Sequence, residues 1–197
     1  RQYILPVDAP NNGEYLQYGV IAIQAAGDIT VGTISGPDYE ETTIPAYNVF
    51  LQASGSIMDD SVETTAISAN YIINLTAGQD IGGLITEGDY TVPQMIAPML
   101  DVILGGDGYL EANAGGNIYI SEVRLPSDDG IPNISTSLYE LNSSGTNTTV
   151  ALLCYYGSLT VDYSIDGGSR NLSFGAGGGD ININAPVTTT GGFLQFA

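Results

Sequence analysis

The stretch Ile73-Asn-Leu-Thr-Ala-Gly-Gln-Asp-Ile81 alternates apolar and polar residues, then runs through Ala and Gly to a small polar residue and Ile. The chain repeats this phrase as Ile21-Ala-Ile-Gln-Ala-Ala-Gly-Asp-Ile29, as Val49-Phe-Leu-Gln-Ala-Ser-Gly-Ser-Ile57 and as Leu110-Glu-Ala-Asn-Ala-Gly-Gly-Asn-Ile118. A further copy, Leu172-Ser-Phe-Gly-Ala-Gly-Gly-Gly-Asp-Ile181, stretches the glycine element, and Leu152 to Leu159 is a blurred relative. A phrase that recurs every few tens of residues marks one structural unit stacked on copies of itself. Alternation sends every second side chain to one face of a strand, so the Ile and Leu residues of successive copies can form interior rows. Gly accepts positive φ at a corner, and Ala fits where backbones crowd. Asp, Asn or Ser can cap the turn through its side chain. The phrase therefore reads strand, corner, strand, and predicts an all-β solenoid.

Working outward, period-two alternation recurs through the chain, punctuated by Gly, Asn and Asp. Helical spacing is nearly absent, and the best window, Val92 to Leu100, is broken by Pro93 and Pro98. The marker residues of the phrase fall at Ile29, Ile57, Ile81, Ile118, Leu159 and Ile181. The two longest gaps predict inserted loops near 82–106 and 126–149, on a single solenoid domain spanning 1–197.

The phrases Ala26 to Val31, Ala114 to Ile120 and Gly178 to Ile183 resemble the haemagglutinin-type repeats of filamentous haemagglutinin and related large surface adhesins. Gly55 to Asp60 and Ile67 to Gly78 are similar. The resemblance implies a right-handed parallel β-helix with an extracellular structural or adhesive role. Archaeal sheath proteins, which stack β-arches around the cell, are a looser architectural analogue.

Composition narrows the function classes. The 197 residues include 22 Asp and Glu against 3 Lys and Arg, with no His, for a net charge of -19. All three cations are arginines: Arg1, Arg124 and Arg170. Phosphate recognition needs clustered Lys and Arg, so nucleic acid and anionic membranes are excluded as partners. No apolar stretch reaches the length of a membrane span. Without His or Lys there is no Ser-His-Asp or Cys-His arrangement, no Schiff-base lysine and no P-loop. A carboxylate-based enzyme acting on polysaccharide is the catalytic alternative that survives.

Calcium, which takes carboxylate and carbonyl oxygens, is the cofactor this composition admits. Its candidate ligands are Asp59, Asp60 and Glu63, the pair Asp128 and Asp129, and Asp107. Asp107 lies in Gly105-Gly-Asp-Gly-Tyr-Leu110, which departs from the calcium-binding nonapeptide where Leu110 replaces an Asp. Five Asn-x-Ser/Thr sequons at Asn74, Asn133, Asn142, Asn147 and Asn171 are candidate glycosylation sites. The single cysteine, Cys154, reads as a buried small residue or as an intermolecular disulfide. The chain opens at Arg1 without Met, as expected of a processed protein or a fragment. Residues Gly191 to Ala197 open the phrase again and stop at its Ala. This predicts exposed assembly edges, Tyr3, Ile4 and Leu5 at one end and Phe193, Leu194 and Phe196 at the other. The expected role is a non-enzymatic extracellular protein that stacks head to tail with itself into a cell-surface fibre, sheath or layer. The alternative is an adhesin segment that binds glycans or host surfaces.

Overall fold

The computed structural model describes residues 20–32, 38–39, 42–43, 46–59, 67–83, 99–104, 108–123 and 133–197. Among them the fold is all-β, with one 3-10 turn, Thr136–Leu138, as its helical element. Pairing is parallel throughout except between Asp38–Tyr39 and Thr42–Thr43. No helix among the described residues is long and apolar enough to cross a membrane.

The first parallel ladder sets Val20–Ala25, Ala46–Ala53, Ile67–Ala77, Tyr109–Ala114 and Tyr139–Ser143 side by side. Its register places Ile21, Val49, Ile73 and Leu110 in one row, so the first four phrases stack as their alternation predicts. Their corners lead into a second ladder, where Ile29, Ile57, Ile81 and Ile118 form the matching row. Val49, Ile57, Ile73, Leu75, Ile81, Leu110 and Ile118 are fully buried. Each such side chain contributes on the order of 1.5–3 kcal/mol relative to exposure. The second ladder continues through Ile118–Glu122, Thr149–Cys154, Asn171–Ala176 and Leu194–Phe196. A third ladder joins Asn133–Ser135, Ser158–Val161 and Ile181–Ile183, and Ile165–Asp166 pairs with Val187–Thr188.

The last phrase changes face. Leu172 does not join the row of Leu110; it lies on Val150, which lies on Ile118, the residue after the fourth corner. Ile181 likewise stacks on Leu159 in the third ladder, not on Ile118. Strand, corner, strand has the same local grammar on every side of a pass, so the phrase alone does not say which side it forms.

Both expected insertions are corrected in extent. Ile118 and Ile120 face Ile81 and Leu100 on the neighbouring pass, and the nitrogen of Tyr119 donates to the carbonyl of Ile81. Among the described residues, Ile81 and Leu100 thus share the same neighbouring strand. Gly82 (φ +67°) and Gly83 (φ +132°), which follow Ile81, have positive φ, a backbone that glycine adopts without strain. Leu100–Leu104 is ladder, not loop: Leu100, Val102 and Leu104 are fully buried, at strand period. In the interval 126–149, Asn133–Ser135 joins the third ladder and Tyr139–Ser143 the first. Polar side chains there occupy the outward positions of strands, which makes a structural pass look like a polar loop in sequence.

The corners differ from expectation in two ways. Among the described residues, positive-φ glycines occur only at Gly82, Gly83 and Gly168, so the phrase glycines are not selected for φ. They are selected for approach. A Cβ on Gly78 would lie 2.2 Å from the carbonyl oxygen of Ser54, and one on Gly115 would lie 2.1 Å from that of Gly78. The small polar residue, moreover, serves the next pass rather than its own turn. Asp28 Oδ1 accepts from the nitrogen of Ser56 (2.7 Å), and Ser56 Oγ from that of Asp80 (3.3 Å). Asp80 Oδ1 accepts from the nitrogen of Asn117 (2.5 Å), and Asn117 Oδ1 from that of Thr149 (2.8 Å). Asn171 Nδ2 then donates to Thr149 Oγ1 (3.4 Å), and Asn171 Oδ1 accepts from the nitrogen of Phe193 (3.1 Å). One continuous polar row joins residues that are 22 to 37 apart in the chain.

Two substitutions test these corners. Gly115→Ala is expected to lose about 1–3 kcal/mol in denaturant unfolding, as overpacking does. Gly191→Ala, whose Cβ would meet Ser169 at an ordinary 3.7 Å, should be near neutral. Asn117→Ala is expected to lose about 1–3 kcal/mol by stranding its partners, whereas Ala at the exposed neighbour Gln79 should stay within about 0.5 kcal/mol.

Candidate functional site

Alternation that buries Ile73 and Leu75 turns the residues between them outward. On the first ladder these form two rows: Phe50, Asn74, Glu111 and Glu140, beside Gln52, Thr76, Asn113 and Asn142. Register lets Asn74, Glu111, Asn113, Glu140 and Asn142, with Tyr109, form one hydrogen-bonded network. Glu111 accepts from Asn74 Nδ2 (2.8 Å) and Asn113 Nδ2 (2.7 Å) through its two carboxylate oxygens. Asn142 Nδ2 donates to Asn113 Oδ1 (3.2 Å) and Glu140 Oε1 (3.0 Å), and the Tyr109 hydroxyl donates to Glu140 Oε2 (2.5 Å). The bond from Tyr109, then that from Asn142, holds the Glu140 carboxyl below its usual range. Burial, reinforced by Glu140, pushes the Tyr109 phenol up to about 12. Beside the network runs a shallow groove of about 390 Å³, lined by Gln24, Phe50, Gln52, Asn74 and Thr76 among others. An exposed aromatic ring among fixed amides and carboxylates suits a ligand that offers hydroxyls at its edges and C–H groups on its faces.

A second concavity, about 280 Å³, opens where the first ladder ends. Its floor is Val150, Leu152, Leu172 and Phe174, and its rim includes Tyr139, Asn142, Tyr163 and Asp166. Arg170 closes one side by donating only to carbonyls: Nε to Gly167 (2.9 Å), one terminal nitrogen to Ser143 (3.1 Å) and the other to Asp166 (3.3 Å). Among the described residues Tyr139–Ser143 pairs with Tyr109–Ala114 alone, so Arg170 covers part of a strand edge.

Among the described residues two carboxylates point inward. Asp59 is 4% exposed and accepts from the nitrogen of Asp101 (3.4 Å). Glu122 is fully buried, in register between Val102 and Cys154. Its oxygens accept from the nitrogen of Leu104 (3.3 Å) and the hydroxyl of Tyr139 (2.7 Å). Burial, with the charge of Asp59, raises the Asp101 carboxyl to about 6. Sequence reasoning missed Glu122, yet its signal was legible: it holds the inward phase of Ile118, Ile120, Glu122.

The predicted site residues scatter. Of the calcium candidates, Asp59 lies in the interior, and Asp60, Glu63, Asp107, Asp128 and Asp129 fall outside the described residues. No group of three or more His, Cys, Asp or Glu side chains among the described residues is placed to hold a metal. Cys154 is 2% exposed, with Glu122 and Ala176 as its register neighbours. That burial is the placement expected of a small interior residue. Asn74 and Asn142 belong to the outer network, Asn171 to the corner row, and Asn133 and Asn147 are exposed. Phe193, Leu194 and Phe196 are exposed on and beside the last strand, and Tyr3, Ile4 and Leu5 lie outside the described residues. Tyr155 and Tyr156 form an exposed edge-to-face pair with ring centroids 4.7 Å apart.

No protein-family model, curated protein or solved structure matches this chain.

The raised carboxyl gives a pH dependence of definite sign. A folded-state value near 6 against an ordinary 3.8 stabilises the protein fully below about pH 4, and that contribution is lost as pH rises through 6. Asp101→Asn should therefore be more stable than the parent above pH 6, with the advantage shrinking towards pH 4. Urea unfolding across that range checks it, and an advantage that does not vary with pH counts against the assignment.

Proposed function

We propose that this chain is a right-handed β-solenoid of the filamentous-haemagglutinin type, a non-enzymatic extracellular structural protein that extends by stacking further passes edge to edge. The observation that carries the reading is that each pass buries the apolar row of the pass before it. Leu172 and Phe174 are each 3% exposed beneath Leu194–Phe196, and Phe174 stacks on Phe196 with centroids 5.9 Å apart. Leu194 and Phe196, which repeat those positions, are 39% and 38% exposed. A further pass would bury them as they bury their predecessors, whether it comes from more of the same chain or from a second copy. In the second case the product is a head-to-tail, non-closing polymer, the geometry of a fibre, sheath or layer. The absence of His and Lys from the sequence supports a role without catalysis.

A second reading, an adhesin segment that recognises glycans, is favoured by the outer network of Asn74, Glu111, Asn113, Glu140 and Asn142 beside Phe50. The network is held in place before any ligand arrives, so little side-chain entropy remains to be lost on binding.

Negative-stain microscopy and sedimentation velocity over a concentration series test the leading reading. Filaments or a growing sedimentation coefficient are expected, and Phe193→Asp, at a side chain 53% exposed beside the last strand, should suppress them while leaving the folded spectrum intact. Monodisperse monomers at every concentration would overturn self-assembly, and binding on a glycan array by that same monomer would favour the second reading.

A further inference from the structure

The five sequons look alike in sequence, but the fold separates them. Attaching a glycan replaces one hydrogen on the asparagine Nδ2 with an anomeric carbon, so an acceptor needs an amide nitrogen that is not held by a neighbouring pass and open space beyond it. Asn142 spends Nδ2 on two acceptors, Asn113 Oδ1 and Glu140 Oε1. Asn74 sits on a strand paired on both sides and donates Nδ2 to Glu111 at 2.8 Å. Asn171 lies in the corner row, with Nδ2 directed to Thr149 Oγ1 and Oδ1 to the nitrogen of Phe193, so a sugar there would stand between passes.

Asn142 is exposed as well, so what sets the other two apart is an Nδ2 that no neighbouring pass among the described residues holds. Asn133 is exposed and uses only its oxygen, which accepts from the Thr160 hydroxyl at 3.0 Å. Asn147 is exposed within the corner that joins Tyr139–Ser143 to Thr149–Cys154, and its side chain makes no hydrogen bond among the described residues. It is also the one non-glycine residue among them with positive φ, at 59°, a conformation asparagine tolerates better than most.

We propose that Asn147 and Asn133 are the N-glycan acceptors of this protein and that Asn74, Asn142 and Asn171 stay bare. The proposal rests on the extracellular reading above. The co-reactant is a lipid-diphosphate-linked oligosaccharide. The asparagine nitrogen bonds to its anomeric carbon, the bond from that carbon to the diphosphate oxygen breaks, and the lipid diphosphate departs. The amide loses one proton to solvent. Neither acceptor belongs to the outer hydrogen-bonded network or to the corner row, so both can be modified with the inter-pass contacts intact.

The test is glycopeptide mass spectrometry on the full chain secreted from a eukaryotic host, with each sequon scored by enzymatic deglycosylation in heavy-oxygen water. Asn147 and Asn133 should carry glycan, and the other three should not. A bare Asn147 or Asn133, or occupancy at Asn74, Asn142 or Asn171 matching theirs, overturns the assignment. Asn147→Gly keeps the left-handed backbone without strain and should remove one glycan's mass with an unchanged melting temperature; an unchanged mass also overturns it. The same chain made in the cytosol, without glycan, is assayed for filaments separately. Filaments together with a wrong sequon pattern overturn only the glycan assignment, whereas the expected pattern with monomers alone overturns only the structural reading.

Discussion

The constraint on which the fold depends is the polar row that climbs the corners from Asp28 to Phe193. At a corner most backbone N–H groups keep a backbone partner on the neighbouring pass, as Gly78 does with the carbonyl of Ala53 and Gly115 with that of Ala77, but the N–H of the small polar residue meets a side chain there. In most steps a side chain of one pass accepts from the main-chain nitrogen of the next. A buried donor left without a partner costs about 1–3 kcal/mol, so each missing link would be felt in two adjacent passes. The row also fixes register. A slip of one residue would turn every interior Ile and Leu outward, and the corner acceptors permit only one alignment.

Glycine works with that row. Once Asp80 Oδ1 reaches the nitrogen of Asn117, the neighbouring backbone has no room for a side chain: a Cβ on Gly116 would lie 2.2 Å from that same oxygen. The glycine and the acid of the phrase are therefore two halves of one contact, made between different passes. This frees the outward positions from structural duty. The face carrying Tyr109, Glu111, Asn113, Glu140 and Asn142 is held flat by the ladder behind it, which is why its polar side chains can bond to one another across strands.

Much of the fold was legible because its determinants are local. Alternation in Ile73 to Ala77 or Leu100 to Leu104 depends only on the period of a strand, and the buried rows follow it. The candidate sites were far less legible. Asp59 reads as a turn carboxylate beside Asp60, yet it follows Ile57 at strand period and points into the core. Glu111, Asn113 and Asn142 carry no motif, because the network that joins them exists only across strands from separate passes.

The sequence by itself determined that the chain is all-β and repeats a strand, a tight corner and a second strand, since propensity and period act over a few residues. It also determined which chemistries are impossible, because the absence of His and Lys is independent of conformation. Only the tertiary structure decided where each repeat lies: that Leu172 sits on Val150 and not in the row of Leu110, that Ile81 and Leu100 share the same neighbouring strand, and which asparagines are spent on neighbours. The physical reason is that stacking is a relation between passes 22 to 37 residues apart, and a phrase that is locally the same on every face carries no record of the face it will occupy.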